Sequence, residues 1–164
     1  MGARNEFGMV GYVMEFAVRE IEFADWAAWA EMRAALWPEE SVDAHALEID
    51  DILKSGEMWA FIAELEDASV GFAEVAIRKY ANGCESQPVP FLEGIWVRQE
   101  FRRQGIGAAL IRYLEVFLAA RGYRELGSDA LIDNSISHES HRRWGFSETE
   151  RVVYFRKPLA PPSG

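Results

Sequence analysis

The sequence predicts an α/β protein: one mixed, mostly antiparallel twisted sheet with helices on both faces. Three observations predict it. Segments that alternate apolar and polar residues, such as EFAVREI, are interspersed with segments whose apolar residues recur at helical spacing. The middle strands follow one another through short polar turns, as hairpins do, whereas the later ones are separated by helices, as parallel neighbours must be. The 164 residues, 49% hydrophobic and 27% charged, bound a single globular domain with a sizeable core.

EFAVREI reads as the first strand. Asp25 then stands as the N-cap of a helix in which Trp26, Trp29, Met32 and Leu36 recur, and Pro38 ends it. SVDAHALEIDDILKSG is a second helix, capped at Ser41 or Asp43 and stopped by Gly56. MWAFIAEL and SVGFAEVAIRKY, joined at EDA, form a hairpin. ANGCESQPVP is a loop by its Asn-Gly and its prolines, and PFLEGIWV is a strand. After the loop RQEFRRQGIG, the residues Ile106, Leu110, Tyr113, Leu114 and Phe117 mark one face of a helix that ends before Gly122. YRELGSDAL reads as a strand, DNSISHESHRRW as a helix and FSETERVVYFRKP as a final long strand. The expected order is β α α β β β α β α β. The domain is expected over residues 14–158, with 1–13 as an extension outside the fold and 159–164 as a tail.

Charge and composition remove several functions. Seventeen Lys and Arg against 27 Asp and Glu leave a formal charge of −10, which repels nucleic acid and acidic membrane surfaces and attracts cations. Cys84 is the sole cysteine, so no internal disulfide can form. His45, His138 and His141 fall in no zinc spacing, so no metal is expected. A reducing, cytoplasmic setting fits. No apolar run reaches membrane-spanning length, and the N-terminus lacks the hydrophobic stretch of a signal peptide. Glu6 stands where a myristoylation signal needs Ser or Thr.

The stretch FRRQGIGAAL carries the most chemistry. It leads from a strand into a helix, where the first backbone N–H groups have no intrahelical partner and the helix dipole is positive. Gly105 and Gly107 let a phosphate approach the backbone, and Arg102 and Arg103 add charge at the rim. A nucleotide P-loop is excluded by the missing Gly-Lys-Ser/Thr. A Rossmann loop is excluded because Leu110 occupies the place of its third glycine.

Arg102-Arg103-Gln104-Gly105-Ile106-Gly107 resembles the Arg/Gln-x-x-Gly-x-Gly/Ala motif of the GCN5-related N-acetyltransferases, and the element order from residue 15 to about 157 is similar to theirs. The blocks LWPEESVDAH, YANGCESQPVPFLEGIWV and SDALIDNSISHESHRRWGFSETERVVYFRK narrow the resemblance to the aminoglycoside 6′-N-acetyltransferases. It implies a splay between the fourth and fifth strands and acetyl-CoA as cosubstrate. By it, the diphosphate would be cradled by Arg102, Arg103, Gln104, Gly105, Ile106, Gly107 and Ala108. The pantetheine arm would lie along Ile95, Trp96 and Val97, beside Asn134 and His141. Asn134 also suits a helix N-cap. His141 stands where many members carry a tyrosine thought to protonate the leaving thiolate, and packing or a hydrogen bond suits it better than catalysis.

Acetyl transfer to an amine needs a held thioester, a neutral amine and a stabilised oxyanion. Glu93, in the strand before the phosphate loop, is the first catalytic candidate, as proton acceptor through water or as counter-charge for the substrate ammonium. Gly94 after it suggests a bulge. Asp129 is the second, since a splay would turn both carboxylates into one cleft. Asp43, Glu85, Glu93 and Asp129 would rim the cleft against a polycationic aminoglycoside, and Trp37 and Tyr80 would offer ring faces to its sugars. The expected function is therefore acetylation of the aminoglycoside 6′-amine by direct attack in a ternary complex, conferring resistance. Another cationic amine, or a silent coenzyme A-binding module, are the alternatives. Cys84 has no histidine near it in sequence, which argues against an acetyl-enzyme. A homodimer is expected through the edge of RVVYFRKP.

Overall fold

The computed structural model of the protein describes residues 16–159; the expected extension 1–13 and most of the tail lie outside them. The strands are β1 (Phe16–Glu20), β2 (Met58–Leu65), β3 (Ala68–Arg78), β4 (Val89–Val97) and β5 (Gly127–Ser128). The helices are α1 (Trp26–Leu36), α2 (Val42–Ser55), α3 (Ile106–Ala120) and α4 (Ser135–Arg143). The sheet order is β1-β2-β3-β4-β5, antiparallel throughout except for the parallel pair β4–β5.

Strand alternation sorts the core into two layers. Phe61, Ala63 and Leu65 of β2 face α3, whose Ile106, Leu110, Ile111, Leu114, Phe117 and Leu118 cover them. The intervening Ala60 and Ile62, with Phe72 of β3, face Trp29, Ala30 and Met32 of α1 and Ile49 of α2. Both faces of the sheet are thus buried, as a central strand's continuous apolar run requires. Ser41 caps α2 by accepting from the Ala44 N–H at 3.1 Å, and Gly56 closes it in the left-handed region. The β2–β3 turn is tighter than EDA implied. Leu65 pairs with Ala68, and Glu66 and Asp67 both take positive φ, as a two-residue hairpin with right-handed strands demands.

Three expectations need correction. Asp25 precedes α1 but makes no side-chain cap; its carboxylate instead receives Arg19 (2.7 and 2.9 Å) and the Glu22 N–H (2.7 Å). A guanidinium held in place by two other carboxylate hydrogen bonds to Glu64 outcompetes a local backbone donor. YRELGSDAL shrinks to Gly127–Ser128, because only Phe91 and Leu92 of β4 pair with it. The long final strand is absent: 146–159 form no regular element, and Val153, Tyr154 and Phe155 are exposed. Its β pattern is real, but among the described residues it pairs with no strand, and a strand exists only through such pairing.

Candidate active site

The site begins with a one-residue irregularity. In the β3–β4 ladder Glu74 pairs with Gly94 and Val75 with Leu92, so Glu93 has no partner. This is a bulge, as Gly94 suggested, and it resets the side-chain alternation. Leu92 packs toward α3, and so do Ile95 and Val97, three and five residues on rather than two and four. The bulge lets one strand serve the apolar core on both sides while projecting a carboxylate between.

The second irregularity is on the other edge. β4 and β5 pair at Phe91–Gly127 and Leu92–Ser128, and then pairing stops. Extending that register by one residue sets Asp129 beside Glu93, at the point where the strands part. The β4 edge from Glu93 to Val97 therefore lacks a β5 partner, which is the expected splay. Backbone groups on such an edge are free to bond an amide-bearing ligand.

A residue that sequence reasoning missed holds one of the two carboxylates. Arg78, the last residue of β3, donates Nε and Nη2 to the two oxygens of Glu93 at 2.8 and 2.7 Å, while its guanidinium lies 3.5 Å from the Phe91 ring centroid. The Glu93 hydrogen bonds raise the Arg78 pKa above its ordinary value, and the charges of Asp129 and Tyr154 add to the effect. Arg78 thus pairs with Glu93 and also feels the charge of Asp129. Arg78 reads from the sequence only as a strand terminus; its reach to Glu93 depends on the hairpin register and the bulge together.

The loop behind β4 has the form an anion site needs. Gly105, at φ +88°, precedes α3, and a Cβ there would meet nothing within 4 Å. Ala109 makes the first intrahelical bond, to the Gly105 carbonyl at 2.9 Å, so the N–H groups of Ile106, Gly107 and Ala108 precede the ladder. The Ile106 side chain is core. Arg102 and Gln104 brace the loop, donating to the carbonyls of Val97 (2.9 Å) and Glu100 (3.1 Å), and Arg103 stands exposed at φ +63°. Gly107 has a different neighbour from the one expected: a Cβ would come 2.8 Å from Cζ2 of Trp144, so this glycine makes room for the indole after α4. The open space at Gly105 and these amides, unpartnered among the described residues, suit a diphosphate.

The other candidates divide. Asn134 caps α4, its Oδ1 accepting from the Ser137 N–H at 3.0 Å. His141 uses both ring nitrogens: Nδ1 lies 2.8 Å from the Ser137 carbonyl and Nε2 2.9 Å from Ser128 Oγ, which ties α4 to β5. Donation from Nδ1 to the carbonyl assigns Nε2 as acceptor of the hydroxyl. Trp37 ends α1 half-buried, with its ring on Gly94. Tyr80 is exposed just past β3. Asp43 sits in the first turn of α2, and Glu85 is tied through its N–H to Glu125, before β5. Neither of these shares a hydrogen bond or ion pair with Glu93 or Arg78 among the described residues. Burial pushes the Cys84 thiol up, with help from Glu125, so it is a poor nucleophile at neutral pH. Among the described residues no group of three or more His, Cys, Asp or Glu could hold a metal, and no helix is long and apolar enough to cross a membrane.

Comparison with known proteins places this geometry. The Acetyltransferase (GNAT) family model matches residues 16–146. An aminoglycoside N(6′)-acetyltransferase type 1 of Stenotrophomonas maltophilia is 44% identical over 146 residues, covering 88% of this chain and 94% of the relative. One from Serratia marcescens is 48% identical over 134 residues, covering 80% and 92%. Among solved structures, AAC(6′)-Iy in complex with the bisubstrate analogue CoA-S-monomethyl-acetylneamine superposes with a TM-score of 0.83 at 38% identity, over 88% of this chain and 99% of that one. AAC(6′)-Ih from Acinetobacter baumannii gives a TM-score of 0.82 at 35% identity, over 89% and 100%. With its glycine loop, bulged β4 and parted β4–β5 edge, the chain belongs to the GNAT acetyltransferase family and, within it, to the aminoglycoside N(6′)-acetyltransferases.

Proposed function

We propose that the protein transfers acetyl from acetyl-CoA to the 6′-amine of aminoglycosides, by direct attack in a ternary complex, and so confers resistance. The observation that carries this is the parting of β4 from β5 at Glu93 and Asp129, next to a glycine loop with free amides. The relatives' names and the neamine-derived analogue bound by AAC(6′)-Iy support the substrate class.

Acetyl-CoA, when bound, supplies an activated thioester. The N–H groups of Ile106 to Ala108 would hold its diphosphate, and the open β4 edge from Ile95 to Val97 would take its amide-bearing arm. Arg102 and Arg103 would add charge at the rim. On the acceptor side, Glu93 accepts one Arg78 hydrogen bond on each oxygen and keeps a lone pair on each, so its first role is counter-charge and orientation for the ammonium. Asp129, exposed and without a hydrogen-bond partner among the described residues, is the freer group to accept the amine proton, directly or through water. Trp37 would offer a wall to the acceptor sugar beside Glu93.

Rapid thiol release with kanamycin or tobramycin, none with spermidine or a lysine peptide, and an acetyl group placed on the 6′-nitrogen by NMR is the expected result. Turnover of spermidine or peptide instead would point to another cationic amine. Asp129→Asn should lower kcat most at neutral pH, and a flat response would remove it as proton acceptor.

We also infer a homodimer in which the 151–158 segment pairs with the open edge of a second copy. The segment keeps a β pattern with Val153, Tyr154 and Phe155 exposed. Among the described residues the outer side of β5 is unpaired, and it borders a cavity of about 400 Å³ that includes Gly127, Ser128 and Phe146. Light scattering should give twice the chain mass, and a Val153→Lys/Phe155→Lys variant should run as a monomer; a monomeric wild type would end this inference.

A further inference from the structure

Between β3 and α1 lies a buried ionic cluster outside the site described so far. Glu74, 1% exposed, projects from β3 into the apolar layer under α1. It accepts from Trp29 Nε1 at 2.7 Å and from Arg33 Nη1 at 2.5 Å. Arg33, 4% exposed, donates Nη2 to Glu48 at 2.5 Å, and its Nε lies 3.4 Å from His45 Nδ1. His45 Nε2 in turn lies 3.2 Å from the Trp37 carbonyl.

Such a cluster is a poor way to gain stability, because desolvation of buried charges offsets most of their attraction, and apolar residues of equal volume do as well. What it holds is specific. The Arg33 guanidinium stands 4.9 Å from the Trp37 ring centroid, within cation–π range. The Trp37 ring fills the space of the absent Gly94 side chain: a Cβ there would lie 2.5 Å from Cη2 and 2.7 Å from Cζ2. Glu74 is itself the ladder partner of Gly94, the pair adjoining the bulge. The cluster therefore grips the bulge from both strands, through Glu74, a residue of β3, and through Trp37, whose ring lies against Gly94 of β4. Glu93 is the residue between.

We propose that Arg33, anchored by Glu74, is a positioning residue for the acceptor site: it seats Trp37 on Gly94 and so sets the wall beside Glu93 against which the aminoglycoside rests. This rests on the reading of Trp37 as an acceptor-site residue. It adds a determinant of substrate recognition that touches neither substrate nor cofactor.

The test compares Trp37→Ala, the charge-neutral pair Arg33→Met/Glu74→Gln, and all three changes together. Arg33→Met/Glu74→Gln should raise the aminoglycoside KM about tenfold, as a misplaced positioning group does, with the acetyl-CoA KM unmoved. Added to Trp37→Ala, it should bring no further rise, because both act through the same ring. Should the neutral pair fail to fold, Arg33→Lys keeps the charge but loses the planar fork, and carries the same expectation. A folded variant with unchanged aminoglycoside KM, equal rises in both KM values, or full additivity with Trp37→Ala would overturn the positioning role alone. An unchanged aminoglycoside KM in Trp37→Ala would instead overturn the acceptor-site reading, and this inference with it.

Discussion

Glu93 owes its place to the single residue by which β4 outruns β3. A regular ladder would have sent this carboxylate to one face of the sheet, under α1 or α3; the bulge leaves it at the opening strand edge with Arg78 on both oxygens. That fork orients Glu93 but also adds a cation to a cleft built for cations. Arg78→Met should therefore lower kcat about tenfold, through lost orientation, while the aminoglycoside KM also falls, because the cleft becomes more negative. Steady-state kinetics decide it, and an unchanged kcat would leave Arg78 without a positioning role. Gly105 is needed for its conformation, φ +88°, rather than for packing, since a Cβ there meets nothing. Gly105→Ala should cost about 1 kcal/mol in the left-handed region, read as a lower Tm. Its methyl would also stand on the ground proposed for the diphosphate, so the acetyl-CoA KM should rise with the aminoglycoside KM unmoved. The motif letters around Gly105 already marked it as the glycine that opens α3. Gly107 was legible as a glycine but not for its reason, because Trp144 reaches it from thirty-seven residues away.

At the scale of elements, local chemistry was a good guide where the partner is local. Ser41 and Gly56 bound α2 as their types imply, because a cap bond spans three residues. Asp25 shows the converse: its donors come from Arg19 on β1, which Glu64 on β2 holds in turn. Arg19 is the main reason the Asp25 carboxyl titrates below its ordinary range, and the Glu22 N–H contributes. The sign follows from linkage. A carboxylate with a depressed folded-state pKa adds stability that is fully present above its unfolded value, about 4, and is lost as pH falls through the folded value. Arg19→Met should thus be less stable than the wild type by about 2 kcal/mol near neutrality, and urea melts should show the gap closing below about pH 4. A gap that persists unchanged at pH 3 would mean that Arg19 contributes by packing alone. The last two strand segments were over-read for a related reason. Their residue patterns are those of strands, but pairing is set by the edge on offer, and β4 offers β5 only two residues before turning away.

Over the whole molecule, the charge of −10 now has a direction. Polycationic acceptors are drawn to an acidic chain, and that attraction is screened over a Debye length of about 10 Å at 0.1 M salt. The aminoglycoside kcat/KM should therefore fall steeply as ionic strength rises, whereas the polyanionic cosubstrate, followed in the same assay by its own kcat/KM, should lose nothing. A salt-independent aminoglycoside kcat/KM would reduce the charge to a matter of solubility. Composition, strand and helix periods and the glycine loop settled the fold class and the family resemblance and singled out Glu93 and Asp129 as candidates, because each depends on neighbours within a few positions or on a recurring motif. The Arg78 fork, the Arg33–Glu74–Trp37 seat, the true partner of Asp25 and the fate of the C-terminal strand emerged with the folded chain. Each is a contact between residues on different elements, or the lack of one. Its energy depends on register, on a one-residue bulge and on an available edge, none of which leaves a local trace in the order of amino acids.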